Sequence, residues 1–170
     1  MDENPENRQA GRPDMPQGYG LAPADSDNGL IPWESAEEKL REARNYWICS
    51  TRPDGRPHAM PVWGLWVEGA FYFSTDPLSR KGRNLAVNPE VVLHLESGDD
   101  AVILEGRSGL VSDAALVRTL DELYFRKYQF HLAGDEAAPG VVYVVRPRQV
   151  MAWLESSFPT SATRWKFKSA

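Results

Sequence analysis

Residues 70–85, Ala70-Phe71-Tyr72-Phe73-Ser74-Thr75-Asp76-Pro77-Leu78-Ser79-Arg80-Lys81-Gly82-Arg83-Asn84-Leu85, pass from a short aromatic strand into a helix that starts near Ser79. The helix is expected to stop before Asn88-Pro89, a strong breaker pair. Three hydroxyls (Ser74, Thr75, Ser79) and three cations (Arg80, Lys81, Arg83) crowd this junction. A helix start presents unpaired N–H groups and the positive end of a dipole, and Arg and Lys add full charges, so the segment suits a phosphate. Helical spacing places Arg80, Arg83 and Asn84 on one face and Lys81 to the side, so the three cations do not all meet one phosphate. A solvated charged helix is the plainer reading; the Ser-Thr pair at the strand end favours binding.

Working outward, the flanks read as a β-meander. Tyr46–Thr51 is a strand, residues 52–56 (Arg-Pro-Asp-Gly-Arg) a turn, Pro57–Val67 a second strand, and Glu68-Gly69 a hairpin turn into Ala70–Ser74. Upstream, Ser35-x-x-Glu38 fits a capping box and opens a helix running to about Asn45. Downstream come strands at 91–96 and 101–111, with Gly106 and Gly109 marking a bulge or bend. A helix capped by Ser112 or Asp113 follows, then a strand at 141–145 interrupted by Arg146-Pro147, its resumption at 150–154, and a last strand at 163–167. Six or seven strands with few helices make a mainly β, α+β chain: a small barrel with peripheral helices.

Residues 1–33 hold five prolines and four glycines with almost no apolar periodicity, which predicts a disordered or loosely draped tail ahead of one domain over 34–170. Six acids and two bases place −4 of the formal charge of −5 in that tail. The acidic balance argues against nucleic-acid and anionic-membrane partners, while leaving room for a local basic pocket in the body. A single cysteine, Cys49, excludes an internal disulfide and reads as buried filler. The absence of a long apolar run or a signal-like N-terminus predicts a soluble, cytoplasmic chain.

The second strand carries His58-Ala59-Met60-Pro61-Val62-Trp63, with His58, Met60 and Val62 on one face and Ala59, Pro61 and Trp63 on the other. Pro61 cannot donate to a ladder, so unpaired backbone groups are expected there, suited to the polar edge of a planar heterocycle. Trp63 and Trp66 read either as core or as ligand neighbours, and His58 either as a ligand contact or as a half-exposed side chain. His58, His94 and His131 lack ligand-like spacing, so no metal site is expected. Hydrolase and Rossmann motifs are absent.

Thr51-Arg52-Pro53-Asp54-Gly55-Arg56-Pro57-His58 followed by Pro61-Val62-Trp63 resembles the opening hairpin of the pyridoxamine-5′-phosphate-oxidase-like split β-barrel family. Phe71–Thr75, Ser79–Leu85 and Asn88-Pro89 resemble the segments that follow it, in register from about residue 34 to 167. Glu96–Asp100, Leu104-Glu105-Gly106, Trp153 and Thr163–Phe167 are similar to the flavin and deazaflavin oxidoreductase branch. The resemblance implies an FMN-binding split barrel of six or seven strands, working as a homodimer on a small-molecule substrate, with FMN or the deazaflavin F420 in a groove between subunits. F420 is slightly favoured. It implies that Pro61, Val62 and Trp63 border the ring, that Ser74, Thr75, Ser79, Arg80, Lys81 and Asn84 follow the phosphate, and that Trp153, Arg164 and Trp165 approach from the partner. No match to the C-terminal arginine motif of true pyridoxamine-phosphate oxidases is present, which argues against vitamin B6 oxidation. The function expected is hydride transfer to or from a small organic substrate, with His58 as the one weak proton-donor candidate. The alternatives are a flavin or haem binder without turnover, with His94 or His131 as haem ligands, and a stress protein with an empty groove.

Overall fold

The computed structural model describes residues 8–132 and 140–168. The strands are β1 (Arg8–Gly11), β2 (Tyr46–Thr51), β3 (Pro57–Val62), β4 (Leu65–Val67), β5 (Ala70–Thr75), β6 (Glu90–His94), β7 (Asp100–Leu110), β8 (Val141–Leu154) and β9 (Thr163–Phe167). The helices are α1 (Trp33–Glu42), α2 (Arg80–Val87), α3 (Ala114–Tyr128) and α4 (Phe158–Ser161). All the pairings are antiparallel. Taken as one strand broken at Trp63-Gly64, β3 and β4 close a circuit through β5, β8, β7, β6 and β2, and β9 and β1 extend the sheet beyond β8. This is the six-stranded split barrel, seven-stranded if the broken strand is counted twice.

Alternation decides what fills it. Ile48, Phe71, Phe73, Leu93, Val102, Leu104, Val145 and Val150 point inward and are fully buried, each worth roughly 1.5–3 kcal/mol of transfer free energy. Helix α1 closes one end with Ala36 and Leu40, and starts at Trp33 after an extended Pro32 rather than from a Ser35 capping box. Helix α3 covers β4, β5 and the first half of β8 through Leu120, Tyr124 and Tyr128, which meet Leu65, Tyr72, Val142 and Val144.

The interruption expected at Arg146-Pro147 does not break β8. Pro147 pairs with Gly106, and the ladder shifts register between Glu105 and Gly106. A Cβ at Gly106 would lie 2.4 Å from Arg146 O, so glycine is what lets the two backbones pass there.

The expectation of a loose tail is corrected over residues 8–33. Strand β1 pairs with β9, and Trp33 packs edge-on against Trp165 at 5.3 Å. The Arg12 guanidinium, 6% exposed, donates to the carbonyls of Thr160, Ala162, Ser26 and Asn28. One buried cation satisfying carbonyls from two segments does what apolar periodicity does elsewhere, and composition does not reveal it. Residues 1–7 lie outside the described residues. Among the described residues, no helix is long and apolar enough to cross a membrane.

Candidate functional site

The start of α2 is built by short-range chemistry. Ser79 Oγ accepts the Gly82 N–H at 3.0 Å and lies 3.1 Å from Thr75 Oγ1, tying the strand end to the helix cap. A Cβ at Gly82 would come within 2.6 Å of the Asp76 and Pro77 carbonyls, so the first turn sits directly on that loop. This packing fixes the helical phase, and it differs from the face expected. Lys81, Asn84 and Leu85 turn inward, while Arg80 and Arg83 are exposed.

Asn84 is fully buried and donates to Ser50 Oγ at 3.0 Å. Ser50 pairs with His58 across β2–β3, and Arg52 follows at the hairpin tip. Burial first, then the charges of Arg52, Lys81 and Arg80, hold His58 below the ordinary imidazole range. Burial also lowers the Lys81 ammonium. Asp54, at the same hairpin tip, is taken by Arg56 at 2.7 Å. Among the described residues, Arg80 and Lys81 have no ion-pair partner. Three buried polar atoms here lack partners: His58 Nδ1, Asn84 Oδ1 and Arg52 Nε. Half-buried Arg52 and Lys81 with exposed Arg80, beside orphaned donors and acceptors, fit an anionic group with attached hydroxyls. Ser50 and Arg52 were missed by sequence reasoning; the β2–β3 register, readable from the turn at 52–56, was the signal.

The rest of the expected ring site lies along β3, which has no strand neighbour on its outer edge. Pro61 is exposed, and the Val62 side chain belongs to the core. Trp63 stacks on Tyr128 at 4.8 Å, with the Arg44 guanidinium 5.2 Å over its ring. The strand breaks at Gly64, where a Cβ would fall 2.2 Å from the Phe71 ring and whose N–H donates to Tyr128 Oη at 3.1 Å. Ser74 faces away from Ser79's side of β5. With Trp63, Thr75, Tyr124, Phe130 and His131 it lines a cleft of ≈ 290 Å³.

The three C-terminal residues divide. Trp153 and Arg164 are half-exposed on the outer face of the sheet, Trp153 edge-on to Phe158 at 5.8 Å. Arg164 also lines a ≈ 540 Å³ cleft between β9 and residues 9–14. Trp165 is 1% exposed in the core, so the expectation that it reaches a partner subunit is corrected: Trp33 covers it. Among the described residues no group of His, Cys, Asp and Glu is arranged to hold a metal ion.

A family model, pyridoxamine 5′-phosphate oxidase, matches residues 33–154. A solved F420 reductase is 25% identical over 66% of this chain and 94% of its own, with a TM-score of 0.54. HutZ, the haem storage protein from Vibrio cholerae, aligns at 14% identity over 71% of this chain and 91% of its own, TM-score 0.58. General stress protein 26 from Bacillus anthracis aligns at 17% over 72% and 94%, TM-score 0.57. The likeness of the last two is one of fold. No curated protein matches the chain.

Proposed function

Because the chain belongs to the pyridoxamine 5′-phosphate oxidase family, we propose that it is an oxidoreductase that holds a phosphorylated flavin-type cofactor and exchanges hydride with a small organic substrate. The observation that carries this reading is the unpaired, half-buried Lys81 with Arg80, Arg52 and His58 at the capped start of α2. Thr75, Ser79, Arg80 and Lys81 hold the phosphate. Asn84 Oδ1 and His58 Nδ1 are left for hydroxyls beside it. The open edge of β3 at Pro61 and Val62 offers backbone groups to the ring, and Trp63 walls one end. When bound, the flavin or deazaflavin ring supplies the two-electron hydride chemistry. The chain's own residues orient the cofactor and exclude water from it. Similarity to the F420 reductase favours F420 over FMN.

The working unit is a homodimer. The outer face of the sheet carries Trp47, Cys49, Val92, Ile103, Met151 and Trp153, all half-exposed, with Phe158 of α4 against Trp153 at one end. An apolar sheet face of this kind is suited to a second copy. Docked face to face, the chains bring Arg164 and Trp153 of the partner subunit to the β3 edge.

The test is the spectrum of the purified protein, followed by titration with FMN, F420 and haemin. Submicromolar binding of FMN or F420 supports the reading. A Soret band with no flavin affinity replaces it by haem binding, with His94 and His131 as the candidate ligands.

A further inference from the structure

The cleft of ≈ 290 Å³ beside Trp63 is lined by His131, which belongs to a pair that the phosphate grip does not use. His131 Nδ1 lies 2.8 Å from Asp121 Oδ2, and Asp121 Oδ1 accepts the Leu132 N–H at 2.6 Å. Burial pushes the Asp121 carboxyl up, but these bonds outweigh it and hold the group below its ordinary range, so it is ionised at neutral pH. An ionised carboxylate only accepts, so Nδ1 carries a proton, and the tautomer this fixes has its lone pair on Nε2. The Phe125 ring stacks on the imidazole at 5.1 Å and restricts its rotation. A carboxylate fixing one imidazole tautomer, with the other nitrogen free, is the arrangement of a proton acceptor. Trp63, Tyr124 and Phe130 line the cleft on its aromatic side, with Ser74, Thr75 and Asp76 as its other polar lining. Its volume is near the lower end for small-molecule sites, which suits a flat ligand of one or two rings.

We propose that this cleft is the substrate site and takes an aromatic alcohol whose hydroxyl donates to His131 Nε2, with Asp121 as the positioning residue. The inference rests on the flavin-type reading, because Trp63 and Thr75, both assigned to the cofactor groove, also line the cleft. In the reaction the carbinol C–H bond breaks and hydride passes to the oxidised cofactor. The O–H proton passes to Nε2, and the carbon–oxygen double bond of an aldehyde or ketone forms. The alcohol loses two electrons and the cofactor gains them; His131 returns its proton to solvent. The reverse reaction runs through the same atoms.

The test uses the full chain without cofactor and two probes, 2-naphthalenemethanol and its methyl ether, which differ in the hydroxyl proton. Wild type is expected to bind the alcohol about tenfold more tightly, the worth of one hydrogen bond. His131→Ala should erase the preference, bringing the alcohol and the ether to equal affinity. Asp121→Ala should shrink the preference to a few-fold, and Phe130→Ala should weaken both probes alike. Equal binding of the two probes by wild type, or a preference that survives His131→Ala, overturns the assignment. FMN and F420 titrations on the same proteins separate the two readings. Lost selectivity with cofactor binding intact sinks only the substrate site; selective alcohol binding by a protein that takes neither cofactor sinks the flavin reading.

Discussion

Pro61 and Arg164 stand in one row that runs straight across the sheet. Successive pairings link Pro61 to Trp47, His94, Ile103, Met151 and Arg164, ending at Gly11 on β1. Five inter-strand steps separate the two residues, about 24 Å along the curved sheet at the usual spacing. A two-fold axis near Ile103, the middle of the row, would set Arg164 of the partner subunit over the Trp47–Pro61 end.

That geometry makes Ile103 the place to break the assembly. Ile103→Glu puts two like charges beside the axis while altering only a half-exposed outer position. Light scattering is expected to show a monomer with nearly unchanged melting temperature and cofactor affinity reduced at least about tenfold. A variant that stays dimeric would show that this face is not the interface.

Arg12 is expected to matter more than its neighbours suggest. Arg12→Ala leaves four carbonyls, on residues 26, 28, 160 and 162, without their donor. The loss is about 3 kcal/mol, or roughly 6–12 °C in melting temperature for a chain of this size. Arg12→Lys should recover little, because an ammonium does not span the same fork. Deleting residues 1–32 should cost at least as much, since it removes β1 as well. An unchanged melting temperature for Arg12→Ala would mean that water replaces the latch.

Much of this architecture was legible in the residues. Alternation located the strands, Asn88-Pro89 ended α2, and Gly106 marked the bulge that accommodates Pro147. What stayed hidden depends on partners far away in sequence. Trp165 alternates with polar residues just as a surface-facing tryptophan would, and only Trp33 across the barrel end decides that it is core. Lys81 and Asn84 turn inward because Gly82 packs on the 76–77 loop, a contact that helical periodicity does not encode. The Arg12 latch is polar throughout and leaves no hydrophobic pattern to read.

The phosphate grip predicts a selective loss. Charge-assisted hydrogen bonds are worth roughly 1.5–3 kcal/mol each, so replacing both Arg80 and Lys81 with Ala should weaken FMN or F420 by about one to four powers of ten. Riboflavin, which has no phosphate, should lose far less. Calorimetric titration of the three ligands separates the outcomes; equal losses for all three would assign these residues to the fold instead.

His58 gives the grip a pH signature. Without ligand, burial and the charges of Arg52, Lys81 and Arg80 depress its pKa, so the ring is neutral at pH 7. A bound phosphate screens those charges and adds a negative one, which raises the pKa in the complex. A group whose pKa rises on binding takes up a proton, so its contribution to affinity is present at low pH and is lost as pH rises through the bound-state value. The phosphate's own second ionisation near about pH 6 works in the opposite sense, but wild type and His58→Gln share it. The ratio of their FMN affinities should therefore grow as pH falls from about 8 to about 5.5, spanning the ordinary imidazole value of about 6.5. With three histidines in the chain, NMR titration of the free and bound protein can follow the His58 ring directly. A flat affinity ratio, or an imidazole pKa that does not move on binding, would place the phosphate away from His58.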